Sequence, residues 1–251
     1  MGNSAYVKIS PVIVLNMDDE MPVVVTQNKK FVLGIIDVQN DFINGSLKVT
    51  NAEMTIGPIN KLRFMMYPYM DTFISLDYHP DNHMSFADTH NSTNEIENLR
   101  LLMEDGTYID VKQNMWPKHC VKNTLGAQLH SDLIATKTDF VVKKGTKANV
   151  ESYSAFGDEF QGKWEKTPLE CWLKSKNATD IILTGIATDY CVYNTALDAI
   201  RLGFKVHLIM SCTKGVAEGT TRDACHDMVM KGVLFYSDVN AFYEANREFI
   251  V

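Results

Sequence analysis

A cysteine, two aspartates, a lysine and two histidines stand where chemistry is possible. Cys191 follows the apolar run Asp180-Ile-Ile-Leu-Thr-Gly185 and the turn Ile186-Ala-Thr-Asp-Tyr190, which puts its sulfur in the first turn of a helix. Helix N-termini carry partial positive charge and free N–H groups, so a thiol there can ionise more readily and nearby N–H groups can hold an oxyanion. Cys120, Cys171, Cys212 and Cys225 lack that setting and read as structural or surface thiols. Asp77-Tyr-His79 sets a carboxylate and an imidazole on one side of an extended chain, a pair that suits a divalent metal ion. His119, in Trp116-Pro-Lys-His-Cys120, offers a third ligand, and His83 is a possible fourth or a structural neighbour. Three protein ligands leave positions open for water or substrate. Zinc is the first choice for this donor set, and Fe2+ or Mn2+ would fit the same residues.

Asp37 and Lys144 also stand at the ends of apolar runs. Taken alone, each has a plain explanation: an aspartate there is a turn former, a lysine a solvated surface group, a lone cysteine a small buried hydrophobe. Their coincidence at successive run ends points instead to one site, because ligands of open parallel sheets bind outside the carboxyl ends of the strands.

The elements that must position these groups are short β-rich runs: Phe31–Asp37, Met70–Asp77, Phe140–Val142, Asp180–Thr184, Lys205–Met210 and Val233–Phe235. They are apolar on both faces and alternate with helical patterns, which predicts an α/β fold with a mainly six-stranded parallel sheet between two helical layers. Thr188 and Asp189 are placed to cap a helix that runs to Gly203, and a second helix is expected from about Thr220 to Lys231, stopped by Gly232. Residues 1–30 hold two apolar patches and no motif, and read as an extension ahead of a domain over 31–251. Residues 87–113 are polar and acidic without a clear period, and read as a long inserted surface loop. Lying between the metal-ligand candidates, this insertion could cover the pocket.

With 251 residues and 45% hydrophobic content the chain can bury a substantial core. A net charge of −7 and no Lys/Arg cluster argue against a nucleic-acid partner. No apolar run reaches the roughly 20 residues of a membrane span, and the first residues lack a basic segment with a long apolar stretch behind it. The expectation is a soluble, unsecreted protein, cytoplasmic or also nuclear, with its five cysteines reduced.

Together these segments resemble the nicotinamidases of the isochorismatase-like cysteine hydrolase superfamily. The matching stretches are Ile35-Ile-Asp-Val-Gln-Asn-Asp-Phe42, Asp77-Tyr-His-Pro-Asp-Asn-His-Met-Ser-Phe86, Trp116-Pro-Lys-His-Cys-Val121, Lys143-Lys-Gly145 with Tyr153-Ser-Ala-Phe156, and Thr184-Gly-Ile-Ala-Thr-Asp-Tyr-Cys-Val192, in the family's order. The Asp-x-His and Trp-Pro-x-His-Cys segments discriminate, because isochorismatases share the fold without that metal site. The resemblance implies Cys191 as nucleophile, Asp37 as its proton acceptor and later donor, and Lys144 as third member of the triad. It further implies an oxyanion hole of the Ala187 and Cys191 N–H groups beside a cis Ile186–Ala187 peptide. Phe42, Trp116 and Tyr153 would wall the substrate ring, and one divalent ion on Asp77, His79 and His119 would face the pyridine nitrogen. Gln39 and Asp41 are expected to hold the loop rather than touch substrate. The implied reaction is hydrolysis of nicotinamide to nicotinic acid and ammonia in NAD salvage, with pyrazinamide as a further substrate and homo-oligomers plausible. The competing readings are a related amidase acting on another small molecule and a catalytically silent metabolite-binding member.

Overall fold

The structure, a computed structural model, describes residues 29–66, 70–102, 106–160 and 163–250. The extension over 1–30 lies outside these apart from its last two residues. One parallel sheet organises the domain. Its strands are β1 (Phe31–Ile36), β2 (Asp71–Asp77), β5 (Phe140–Lys144), β8 (Asp180–Ile186), β9 (Lys205–Lys214) and β10 (Leu234–Tyr236), in the order β10-β9-β8-β1-β2-β5. The chain therefore winds outward from β1 through β2 to β5, then restarts on the other side with β8. That reversal between β1 and β8 leaves a crevice at the carboxyl ends of the strands, where such sheets bind ligands.

Alternation along each strand splits the core into two faces. Phe31, Leu33 and Ile35 of β1 face one cluster with α2 (Ile56–Met66) and α6 (Val239–Asn246), through Ile59, Leu62, Val239 and Phe242. Val32 and Ile36 face the other with α3 (Leu169–Ser175), α4 (Cys191–Arg201) and α5 (Glu218–Met230), through Leu173, Val192, Ala196 and Met228. The three-layer α/β/α reading of the sequence holds. Among the described residues no helix is long and apolar enough to cross a membrane.

Two elements differ from the sequence reading. The segment 87–113, expected to be a loop, contains an antiparallel hairpin of β3 (Ile96–Leu102) and β4 (Tyr108–Asn114). Its pairs Leu99–Val111 and Leu101–Ile109 share one face, while Asn98–Lys112 and Arg100–Asp110 share the other. The intervening charges hide this alternation in a linear reading. A second, unexpected hairpin joins β6 (Gly157–Phe160) to β7 (Lys163–Lys166). The glycine stops are as expected: Gly203 and Gly232 sit at φ 89° and 90°, each followed by an N–H that reaches back to the last helical turn.

Candidate active site

Four strand ends and one helix start converge in the crevice. A short helix, α1 (Asn40–Ile43), follows β1, and Asp37 lies just past that strand's end at φ 50°, fully buried. Its N–H donates to Ser75 O (3.2 Å), and Ser75 Oγ donates to Asp37 Oδ1 (2.7 Å). Asp77 ends β2, and its register partner Lys144 ends β5. The Lys144 side chain has no solvent exposure and lies 2.9 Å from Asp37 Oδ2. Its Nζ donates to Asp77 Oδ1, to Cys191 Sγ (3.2 Å) and to Ser152 O (3.2 Å). One ammonium thus links both carboxylates to the sulfur. A buried cation in such company stays charged: burial works against it, but Asp37 and Asp77 hold it well above the usual lysine value.

The same burial acts on the partners. It raises the Asp37 carboxyl above the ordinary range against the pull of Lys144. Asp77 goes the other way: burial disfavours its charge, but Lys144 and then His79 outweigh this and hold it far down. Burial pushes the Cys191 thiol well up; Lys144 opposes this, and the carboxylates of Asp37 and Asp77 add to it. Burial of the sulfur is the largest of these effects, and the helix N-terminus read from the sequence acts against it, as Lys144 does. Asp37 Oδ2 is the one buried carboxylate oxygen here that accepts no well-aligned hydrogen bond among the described residues.

Asp77, His79 and His119 bring ligand atoms within 4.8 Å of one another. His79 Nδ1 donates to Gly145 O (2.9 Å) and His119 Nδ1 to Pro117 O (2.8 Å), so both rings turn Nε2 towards Asp77 Oδ2, at 3.6 and 3.9 Å. Backbone carbonyls that fix imidazole tautomers are the ordinary support of a metal site. Gly145 makes the arrangement possible: at φ 60°, a Cβ there would lie 2.3 Å from His79 Cε1. A carboxylate and two neutral imidazoles fit a divalent ion with open positions. His83 stands apart from Asp77 and His119, its ring tilted against that of His79 at 4.2 Å, with its ring nitrogens on Ser85 Oγ (2.8 Å) and Val150 O (3.0 Å). Burial, then His79, lowers its pKa to about 4.

The cavity between nucleophile and metal ligands is lined by Phe42, Trp116 and Tyr153, as the sequence implied, and also by Leu47, Val49, Glu151, Tyr190 and Val216. Tyr190 packs edge-on against Trp116 (centroids 5.0 Å apart) and beside Tyr153 (5.5 Å), while Trp116 Nε1 donates to the Tyr153 hydroxyl (3.1 Å). Phe42 lies 5.5 Å from the His119 ring. Glu151 accepts from Ser152 N (2.8 Å) and from Gln113 Nε2 (3.3 Å) of β4. Position beside Cys191 could have flagged Tyr190, and position past the end of β9 could have flagged Val216; the others carry no local signal. The Ile186–Ala187 peptide is cis, and the N–H groups of Ala187 and Cys191 donate to no backbone carbonyl of the described residues. Gln39 and Asp41 hold the loop: Gln39 bridges Asp77 and Ala127, and Asp41 accepts from Ser46 N and Cys120 N.

An Isochorismatase domain family model matches residues 31–236. The Escherichia coli (strain K12) nicotinamidase is 40% identical over 184 residues, covering 72% of this chain and 82% of that one. The yeast nicotinamidase bound to the inhibitor nicotinaldehyde superposes with a TM-score of 0.74 at 28% identity, over 82% of this chain and 98% of that one. The Pyrococcus horikoshii pyrazinamidase in complex with zinc superposes at 0.67 and 27% identity, with the same two coverages.

Proposed function

The chain belongs to the isochorismatase domain family, and on that premise we propose that it hydrolyses nicotinamide to nicotinic acid and ammonia, a step of NAD salvage. The observation that carries the residue roles is the Lys144 ammonium, in contact with Asp37, Asp77 and Cys191 at once. It joins a nucleophile and its base to the carboxylate of a metal triad. A solvated lysine, a lone turn aspartate and an inert core cysteine would give no reason for that junction.

Because the thiol is held in its neutral form, the thiolate forms as it reacts. Cys191 Sγ attacks the carboxamide carbon while its proton passes to Asp37 Oδ2, the oxygen left without a well-aligned donor. The negative oxygen of the tetrahedral adduct accepts from the Ala187 and Cys191 N–H groups. The C–N bond then breaks, Asp37 returns the proton to the departing ammonia, and a thioester to Cys191 remains. Asp37 next takes one proton from water, whose oxygen attacks the thioester; the C–S bond breaks, that proton passes from Asp37 to sulfur, and nicotinic acid leaves with the second proton, which it gives up to solvent. Lys144 keeps two neighbouring carboxylates from repelling each other throughout. Phe42, Trp116 and Tyr153 sandwich the ring. A divalent ion held by Asp77, His79 and His119 supplies a Lewis-acid partner for the ring nitrogen. Zinc is favoured, since it accompanies a related pyrazinamidase; Fe2+ and Mn2+ suit the same donors. Pyrazinamide offers the same carboxamide and a ring nitrogen in the same relation, so it is a second substrate.

Purified wild type and Cys191→Ala, incubated with nicotinamide with and without prior chelation, test the reading. Wild type releases ammonia and nicotinic acid in equal amounts, the variant releases neither, and chelation lowers the wild-type rate. A folded, metal-loaded wild type that releases neither product would refute nicotinamide as substrate.

A further inference from the structure

The motif Ala187-Thr-Asp-Tyr-Cys191 contains one charged side chain that the mechanism does not use, Asp189. The sequence places it to cap α4, the helix that Cys191 begins, yet α4 starts after Tyr190 with no side-chain cap. The buried Asp189 carboxylate points to a different helix. Its Oδ1 accepts from Val216 N (2.9 Å), and its Oδ2 accepts from Ala217 N (3.3 Å), Thr220 Oγ1 and Thr221 Oγ1 (3.4 Å). The two residues ahead of α5, Val216 and Ala217, and the first-turn hydroxyls of Thr220 and Thr221 thus all donate to Asp189, which anchors the start of α5 from 28 residues before Ala217. A negative charge at that helix start also complements its dipole. Close approach is required for this: at Gly215 a Cβ would lie 1.8 Å from Thr221 Oγ1 and 3.1 Å from Asp189 Oδ1.

Both ends of this clasp touch the cavity. Asp189 sits within the turn that carries Ala187, Tyr190 and Cys191, and Val216, from whose N–H it accepts, lines the cavity as well. Thr188 adds a second tie beside it, through its N–H to Lys214 O (3.0 Å) and its hydroxyl to Thr213 Oγ1 (2.7 Å). Resting on the cysteine-nucleophile reading above, we propose that Asp189 is a positioning residue. By anchoring the start of α5 to the nucleophile turn, it fixes the Cys191 sulfur and the two oxyanion N–H groups against the wall that Val216 builds.

An anchor that served stability alone would leave the reacting geometry untouched once the protein was folded. The discriminating probe is pyridine-3-carbaldehyde. Addition of the Cys191 thiol forms an S–C bond, opens the C=O double bond and transfers the thiol proton to oxygen, so its affinity reports how sulfur and oxyanion donors are aligned. Nicotinate binds without that bond and reports the ring pocket alone. In Asp189→Asn, kcat on nicotinamide should fall on the order of 10-fold, and in Asp189→Ala on the order of 100-fold, the scale expected of a displaced nucleophile. Aldehyde affinity should fall in parallel and nicotinate affinity should stay at the wild-type value. Thr220→Val, which removes one donor at the rim, should show a smaller fall in the same two readouts and covers the case where Asp189→Ala does not fold. Wild-type kcat and aldehyde affinity in folded Asp189 variants would overturn the proposal, as would equal losses of aldehyde and nicotinate affinity. A wild type that binds the aldehyde yet does not hydrolyse nicotinamide would refute the assigned reaction instead, with the Asp189 comparison still readable from the adduct.

Discussion

At the scale of single residues, Lys144 decides most. Among the ion pairs of the described residues it is the one lysine or arginine against the buried carboxylates of Asp37 and Asp77. Removing one partner of a buried ionic group leaves the rest uncompensated, at a cost of about 3–5 kcal/mol. Lys144→Met should therefore lower stability by that order in urea unfolding as well as abolish turnover, whereas Cys191→Ala should abolish turnover and keep near wild-type stability. Equal stability of Lys144→Met and wild type would show that the carboxylates are compensated elsewhere. Gly145 makes a second case, since a methyl group there meets the His79 ring and the backbone sits at positive φ. Gly145→Ala should lose bound divalent metal in elemental analysis, and full metal content would contradict the fit. Strand-end logic made Asp37, Asp77, Lys144 and Cys191 legible in the sequence, because parallel sheets put such residues together whatever the spacing between them. The direction of the thiol shift was not legible, because it depends first on how completely the fold buries the sulfur. Glu151 was illegible too, being brought to the cavity by long-range packing.

At the scale of elements, the runs apolar on both faces were readable as buried strands, and the glycines at 203 and 232 as helix stops. The β3–β4 hairpin was not, since only one of its faces is apolar and its charges break the pattern. Among the described residues it pairs with no other strand, and the cavity lining contains none of its residues. A polar link to the cavity wall runs from Gln113 to Glu151. An expectation that the insertion covers the pocket thus narrows to its base. Replacing residues 98–112 with a short turn, which keeps Gln113, should leave kcat/KM for nicotinamide unchanged, because exposed ribbons tolerate shortening. A clear rise in KM in that variant would restore a covering role to the distal hairpin. The cap of α4 is the other element misread in sequence. Asp189 has the right type for an N-cap but holds instead the residues just ahead of α5, a helix that begins 29 residues later, and only the sheet's crossover brings the two together.

At the scale of the whole molecule, the two ends of the sheet carry opposite duties. The carboxyl ends hold reactive groups whose pKa values are displaced by mutual contact. The amino ends hold a buried polar cluster with no link to the cavity. There Asp180, which opens β8, accepts from His207 Nε2 of β9 (2.8 Å) and from Thr179 Oγ1 (2.7 Å). His207 Nδ1 reaches the Tyr236 hydroxyl of β10 (3.1 Å), and the imidazole is enclosed by Phe31 and Phe242. The cluster thus spans β1, β8, β9, β10 and α6 at one level of the core. Burial disfavours the Asp180 charge, but the bonds from His207 and Thr179 outweigh it, and the carboxyl titrates below its usual value. The unfolded chain gives that carboxyl a pKa of about 3.9, so below that pH it binds protons that the folded state resists. The stability it contributes is fully present above about pH 3.9 and is lost as pH falls through the lower folded value. Asp180→Asn should therefore be less stable than wild type at neutral pH, with the difference shrinking as the solution is acidified. Urea unfolding at a series of pH values measures this directly, and a difference constant across the acid range would show that Asp180 titrates in the folded protein as it does in the unfolded chain.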